Sequence, residues 1–272
     1  MPVDLHVHTI ASDGSDAPEE IVRKAIDRGL EAVAITDHDT TDGIAAATNA
    51  ARGTGFEVIP GIEISTDYAE REVHILGYYV QTCVPEFLDG VRKLAKARAK
   101  RIAAMVEKLR RAGIRLTLEE VYAVAGTGAV GRLHLAQVLV NRGVVATVRE
   151  AFHKYLGRGR PGYLPRARFS PVQAVRLVQT GRGIPVLAHP GTIGADDVIW
   201  SLLPYGLQGI EVYHPEHTED QVQHYLALAK RFSLIVTGGS DYHRPGYHAD
   251  LGDLTVPYEV VSVLRKTVKA VY

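Results

Sequence analysis

Short apolar runs separated by amphipathic stretches constrain the fold of this chain more than any other feature. Glu31–Thr36, Phe56–Ser65, Val73–Tyr78, Ile184–His189, Gly209–His214 and Leu234–Thr237 are each too short and too apolar for a surface helix. They read as strands of a buried, mostly parallel sheet. Leu5-His6-Val7-His8 is a further strand at the start. Helical spacing fills the intervals at about 41–53, 171–181, 195–203 and 217–231. In Asp16-Ala17-Pro18-Glu19 we expect a helix start, with Asp16 as N-cap and Glu19 closing a capping box. About seven strands alternating with helices point to an α/β protein with a closed or nearly closed parallel barrel.

The strands share a second property. Nearly all finish in histidine or carboxylate: His6 and His8, His38, Glu63, His74, His189, His214, then Asp241 and His243. In a parallel barrel the C-terminal strand ends form one rim, so these side chains are expected to converge. Two imidazoles at i and i+2 of a strand face the same way and can reach one cation. Imidazole mixed with carboxylate suits zinc, manganese or iron, and the number of ligands exceeds what one tetrahedral ion uses.

Between residues 85 and 164 the pattern changes to helices, at about 85–112, 117–125, 132–142 and 147–155. In the longest, Val91, Leu94, Ile102, Met105, Val106 and Leu109 make the apolar stripe and the other faces are basic. We divide the chain into a first barrel part at 1–84, a basic helical insertion at 85–164 and a second barrel part at 165–272. A net charge of zero conceals this division. Residues 92–168 carry 18 Lys+Arg against 4 Asp+Glu, leaving 13 against 27 elsewhere. An acidic body able to hold cations, joined to a basic segment able to hold an anion, is what a polyanionic substrate requires. The single cysteine, Cys83, excludes an internal disulfide and is expected as a small buried apolar residue. No apolar run approaches a membrane span, and the N-terminus enters a strand without a cleavable leader, so a cytoplasmic location is expected.

In order, His-x-His, Asp-Gly, Thr-Asp-His, Gly-Ile-Glu, His-Ile-Leu-Gly-Tyr, Ala-His-Pro-Gly and Gly-Ser-Asp-x-His resemble the PHP family, the polymerase and histidinol phosphatase group of metallophosphoesterases. The resemblance covers almost the whole chain. It implies a distorted (β/α)7 barrel with a helical insertion and three divalent cations at the rim, manganese before zinc or iron. The first would take His6, His8, Glu63 and Asp241; the second Glu63, His74 and His189; the third Asp13, His38 and His243. Within the family, the insertion and Gly131-Arg132-Leu133-His134 resemble the branch that hydrolyses nucleoside 3′,5′-bisphosphates and trims short 5′-phosphorylated RNA. The expected reaction is phosphomonoester hydrolysis by a metal-held hydroxide, with Asp13 or His243 handling the proton. Arg132 and His134, near a helix start, are the leading phosphate-binding candidates. Lys154, Arg158, Arg160, His214 and His217 stand behind them. Histidinol phosphate, a DNA 3′ end and non-catalytic nucleic-acid binding are the alternatives. Extended RNA needs a continuous basic groove, whereas a nucleotide needs only a pocket.

Other signals read as structural. Gly126–Gly131 has dinucleotide-fingerprint spacing but follows a helix, so we expect a turn. Asp37 and Asp39 flank a ligand and point away from it, as supporting or capping groups. His153, His224 and His248 are expected as surface or packing residues, as are Trp200 and the tyrosines.

Overall fold

A computed structural model describes residues 2–69, 71–165, 169–194, 196–247, 249–254 and 256–271. His248 thus lies outside the described residues. The strands are β1 (Pro2–Val7), β2 (Ala32–Ile35), β3 (Glu57–Tyr68), β4 (Arg71–Tyr78), β5 (Ile184–Leu187), β6 (Gly209–Tyr213), β7 (Ile235–Gly238) and the two-residue β8 (Val256–Pro257). The helices are α1 (Pro18–Asp27), α2 (Gly43–Ala50), α3 (Pro85–Arg111), α4 (Leu118–Ala125), α5 (Arg132–Asn141), α6 (Val148–Ala151), α7 (Pro171–Thr180), α8 (Pro190–Ile193), α9 (Asp197–Leu202), α10 (Glu219–Phe232) and α11 (Glu259–Val271).

Among the described residues the strands form one sheet in the order β7-β6-β5-β4-β3-β2-β1-β8. Its ends nearly meet. His8 N–H donates to Tyr242 O at 2.9 Å, and Val7 and Tyr242 form a parallel bridge. Asp4 fastens the same seam, accepting from Ser240 N at 2.9 Å, Ser240 Oγ at 2.6 Å and Gly252 N at 2.8 Å. Only glycine fits at position 239, where a Cβ would lie 2.4 Å from His6 N.

The sheet is not parallel throughout, which corrects the sequence expectation. β4 runs antiparallel to both β3 and β5. Tyr68 pairs with Arg71, so the connection is a tight hairpin, and a connection that short cannot return a parallel strand. His74 therefore reaches the rim from the first half of its strand.

Alternate residues of β2 and β4 go to two cores, as a period of two requires. Val33, Ile35, Val73 and Ile75 pack with Ile21, Val22 and Ile44 from the helices. Ala32, Ala34, Leu76 and Tyr78 form the other core, closed by Val261 and Leu264 of α11. A third cluster belongs to the helical segment, from Ile102 to Leu156. α3 links it to the barrel: Phe87, Val91 and Leu94 pack on the barrel side, Ile102, Met105 and Leu109 on the other. Arg98 and Arg101 are buried at the changeover, within the stripe that sequence spacing assigns to apolar residues alone.

Two further expectations need correction. The N-cap of α1 is Ala17, without a side-chain cap, while Asp16 takes Lys24 Nζ at 2.7 Å and the Tyr242 hydroxyl. Pro18 already excuses one orphan N–H of that helix start, and these two donors occupy the Asp16 carboxylate. Cys83 is exposed because it sits in the surface turn between Gln81 and Val84, which leads into α3.

Candidate metal centre

The rim assembles from the ends of the chain inward. β1 carries His6 and delivers His8 just beyond its end, and the following turn returns Asp13. That turn is tight enough to require Gly14, where a Cβ would sit 2.4 Å from His8 O. Past β2, His38 forms a bridge with Glu63 of β3. His189 and Asp241 follow β5 and β7 with left-handed φ values of 27° and 49°, turning their side chains back over the barrel.

Glu63 is the hub. Its Oε2 lies 2.8 Å from His38 Nδ1, 3.4 Å from His6 Nε2 and 3.3 Å from His8 Nε2. The same two nitrogens are 3.4 and 3.2 Å from Asp241 Oδ1. Glu63 Oε1 meets His74 Nδ1 at 2.7 Å and His189 Nε2 at 3.2 Å. Asp13 Oδ1 is 3.5 Å from His243 Nε2. Ligand atoms of His8, Asp13, His38 and His243 lie within 4.8 Å of one another, as do those of His6, His8 and Asp241, and those of His38, Glu63 and His74. All nine expected ligands therefore come together. His214 joins them, its Nε2 3.5 Å from Asp241 Oδ2.

Electrostatics supports a cation site. Burial disfavours charge on Glu63, yet His38, His74 and His6 hold it well below the usual carboxylate range. Asp241 and Asp13 are lowered in the same way against burial, by His6 and His243 and by His38 and His243 respectively. Burial also opposes protonation of the imidazoles. Glu211, Asp241 and Glu63 nevertheless raise His6 well above its ordinary value; Asp241 and Glu63 push His8 up to about 10, and Glu63 pushes His74 up to about 9. His243, where burial and His8 prevail, falls to about 4. Protons on His6, His8 and His74 thus supply positive charge beside Glu63 and Asp241, whereas burial lowers His38 and His243 beside Asp13. The buried atoms His6 Nε2, His8 Nε2, Asp13 Oδ1 and Glu63 Oε2 make no hydrogen bond, although a buried polar atom normally has a partner. A divalent cation fits that donor set, in which inward atoms are left over and outward ones are tied back.

The ties are specific. Glu211, fully buried, receives His6 Nδ1–H on Oε1 at 2.9 Å and His189 N–H on Oε2 at 2.8 Å. Asp37 accepts from Thr9 N, Thr9 Oγ1 and Ser12 Oγ at 2.7, 2.8 and 2.6 Å. Asp39 accepts from Ser65 N at 2.9 Å and from Arg98 Nη1 at 3.0 Å. Arg98 Nε–H also donates to Val130 O at 3.1 Å, joining the ligand-bearing loop to the turn before α5.

The cavity above the ligands measures about 190 Å³, and Arg98, Arg101, Arg132, Phe152, Glu216 and Tyr247 contribute to its wall. Arg132 pairs with Glu72 and lies over the Phe152 ring at 5.5 Å. His134 is not among the lining residues; its Nδ1 accepts from Gly131 N–H at 3.0 Å and caps α5. His217 is tied at both nitrogens, donating to Val212 O at 2.8 Å and accepting from Gly191 N at 3.0 Å. Lys154, Arg158 and Arg160 are exposed and outside the lining, with Lys154 paired to Glu150. Gly126–Gly131 is a turn whose Ala129 N–H bonds Ala11 O beside the Asp13 loop. His153 is exposed, His224 pairs with Asp196, and Trp200 packs edge-on against Phe232.

Sequence reasoning missed Arg98, Arg101, Glu211, Glu72 and Tyr247. The first three had a signal. Arg98 and Arg101 follow Leu94 at helical spacing and precede Met105, so they occupy the apolar stripe itself. Glu211 interrupts Ile210 and Val212 within a buried strand.

Residues 4–156 match the PHP domain family. Over 256 residues the chain is 34% identical to the 5′-3′ exoribonuclease Rnm of Escherichia coli, covering 92% of this chain and 87% of that one. Over 250 residues it is 33% identical to the 3′,5′-nucleoside bisphosphate phosphatase of Chromobacterium violaceum, covering 90% and 88%. A solved Bifidobacterium adolescentis structure, described as a metal-dependent phosphoesterase, superposes with a TM-score of 0.90 at 31% identity, covering 97% and 96% of the two chains. Sequence and fold therefore agree with the rim chemistry, and this chain belongs to the PHP family of metal-dependent phosphoesterases, hydrolases acting on ester bonds.

Proposed function

We propose that the chain removes the 3′-phosphate of nucleoside 3′,5′-bisphosphates and trims short 5′-phosphorylated oligoribonucleotides. One observation carries the reading: Arg98, Arg101 and Arg132 share the wall of the cavity that the ligand cluster floors. Guanidinium groups suit phosphate recognition, and several of them favour a substrate with more than one phosphate over histidinol phosphate, whose far end is cationic. The names of the Escherichia coli and Chromobacterium violaceum relatives agree with this substrate class.

Three divalent cations, manganese first among them, would be held by His6, His8, Glu63 and Asp241, by Glu63, His74 and His189, and by Asp13, His38 and His243. When bound, such ions lower the pKa of water and offset phosphoryl charge. The chain's own groups do the rest. Arg132, braced by Glu72 and Phe152, orients the phosphate from the start of α5, and His134 holds that start in place. Asp13 and His243 are assigned the proton, on the cavity side where their facing atoms are 3.5 Å apart. Arg158 and Arg160 screen the approach from the surface, and His217 steadies the loop that carries His189. The described residues include no helix long and apolar enough to cross a membrane, and the cytoplasm is the compartment this substrate class implies.

The test is phosphate release by manganese-loaded protein from adenosine 3′,5′-bisphosphate, beside 5′-phosphorylated trinucleotide RNA and histidinol phosphate, with His6→Ala as control. Release from the first two, absent in the variant, is expected. Equal release by His6→Ala would remove the proposed site. If no substrate turned over with manganese, zinc or iron while RNA bound in a salt-sensitive way, the protein would be a binding module instead.

A further inference from the structure

The catalytic cavity does not stop at the arginines. Arg101 lines it and also lines two further cavities along α3, of about 440 and 660 Å³. Arg98 is shared by the first two, and Lys93, Ala97 and Arg101 by the second and third. The three cavities thus lie in a row beside α3, with the side chains of Arg98 and Arg101 as shared walls, and make a segmented channel leading away from the ligand cluster. Its floor is largely apolar, with Leu94, Phe169 and Leu177 in the middle section and Leu164 and Pro165 at the far end.

Lys93, Lys96 and Lys100 are exposed and line the two outer sections. Their side chains make no ion pair or hydrogen bond among the described residues, whereas several other basic residues of this segment do. Arg92 pairs with Asp89, Arg111 with Glu107, Arg142 with Glu120 and Lys154 with Glu150. Three exposed, unpaired ammonium groups therefore follow one another along the channel. From Lys93 to Lys100 the helix rises about 10 Å, the length of roughly three stacked nucleotides at about 3.4 Å per phosphate.

We infer that this channel is the path of a single-stranded oligoribonucleotide, holding the nucleotides that trail behind the 5′ end in the catalytic cavity. The lysines take the phosphodiester backbone, and the apolar floor takes base faces without reading sequence. Charge complementarity and adjacency to the catalytic cavity identify the occupant. The inference rests on the reading that the cavity takes a nucleotide end, and it adds what separates the two substrates: a bisphosphate fills only the first cavity, an oligonucleotide uses all three.

The deciding variant is Lys93→Glu/Lys96→Glu/Lys100→Glu, with Lys96→Ala as a milder companion; all three positions are exposed. Binding of a fluorescent 5′-phosphorylated hexaribonucleotide is measured by anisotropy in EDTA, so the result does not depend on turnover. The triple variant should bind at least about tenfold more weakly, and the salt slope of log affinity should shrink by about 2, or 0.7 per lost phosphate contact. In manganese its kcat/KM should fall for the oligonucleotide and stay within about twofold for the bisphosphate. Unchanged hexanucleotide affinity, or an equal loss on both substrates, would overturn the inference. If wild-type protein released phosphate from neither substrate, the hydrolase reading would fail, and anisotropy would still decide the channel.

Discussion

Replacing Glu211 by glutamine tests how far the ligands depend on their surroundings. His6 Nε2 faces the inward cluster, so its Nδ1 carries the proton and donates to Glu211 Oε1, while Oε2 accepts from His189 N–H. Each carboxylate oxygen thus accepts from a group of a different rim histidine. Glutamine keeps the shape but has one acceptor and one donor group, so an amide NH2 must face an N–H in a fully buried site. Losing a hydrogen bond to a charged group costs about 1.5–3 kcal/mol, or roughly 10- to 150-fold in an equilibrium constant. Outer-shell partners of ligating histidines usually contribute within that range. Cation affinity, measured by chelator competition, should fall by about that factor while far-UV circular dichroism stays unchanged. Wild-type affinity in a folded Glu211→Gln variant would refute the reasoning.

Two further outcomes follow from the buried charges. Arg98→Ala leaves Asp39 buried without its guanidinium and should lower urea stability by about 3–5 kcal/mol; a loss under about 1 kcal/mol would show that the pair does not fasten α3 to the barrel. In the chelated protein His8 and His74 bind protons more tightly than their unfolded-state value of 6.5, at about 10 and 9. Their stabilisation is therefore complete below pH 6.5 and lost as pH rises through 9 to 10, so the thermal midpoint should fall between pH 7 and 10; a flat or rising midpoint would contradict it.

The convergence of the rim histidines and carboxylates was legible because histidine or carboxylate in or beside a short apolar run breaks an otherwise buried pattern, and seven such breaks fall in order. Strand direction was not legible. An apolar run reads the same both ways, and the polar stretch Thr66–Glu72, which looks like a loop, is the hairpin that reverses β4. The insertion's helices were visible from spacing, but its inner wall was not, because the basic residues of α3 were placed on the faces outside the apolar stripe. Arg98 and Arg101 are inside because Val130 O, Leu164 O and Asp39 are there to receive them, and those partners lie far away in sequence. The same applies to Asp16, whose cap-like spacing lost to Lys24 and Tyr242.

The seam between Asp4 and Ser240 joins residues 236 positions apart, whereas Val7 N–H reaches Thr36 Oγ1 across 29. Closing the longer span costs about 2 kcal/mol more in chain entropy, so the seam belongs to the late contacts of folding. Asp241 and His243 arrive only with it. A chain that has laid down β1 to β4 and the helical cluster still lacks His189, Asp241 and His243 at the rim. The cluster of His38, Glu63 and His74 is therefore complete before the seam closes, whereas the clusters of His6, His8 and Asp241 and of His8, Asp13, His38 and His243 form with it.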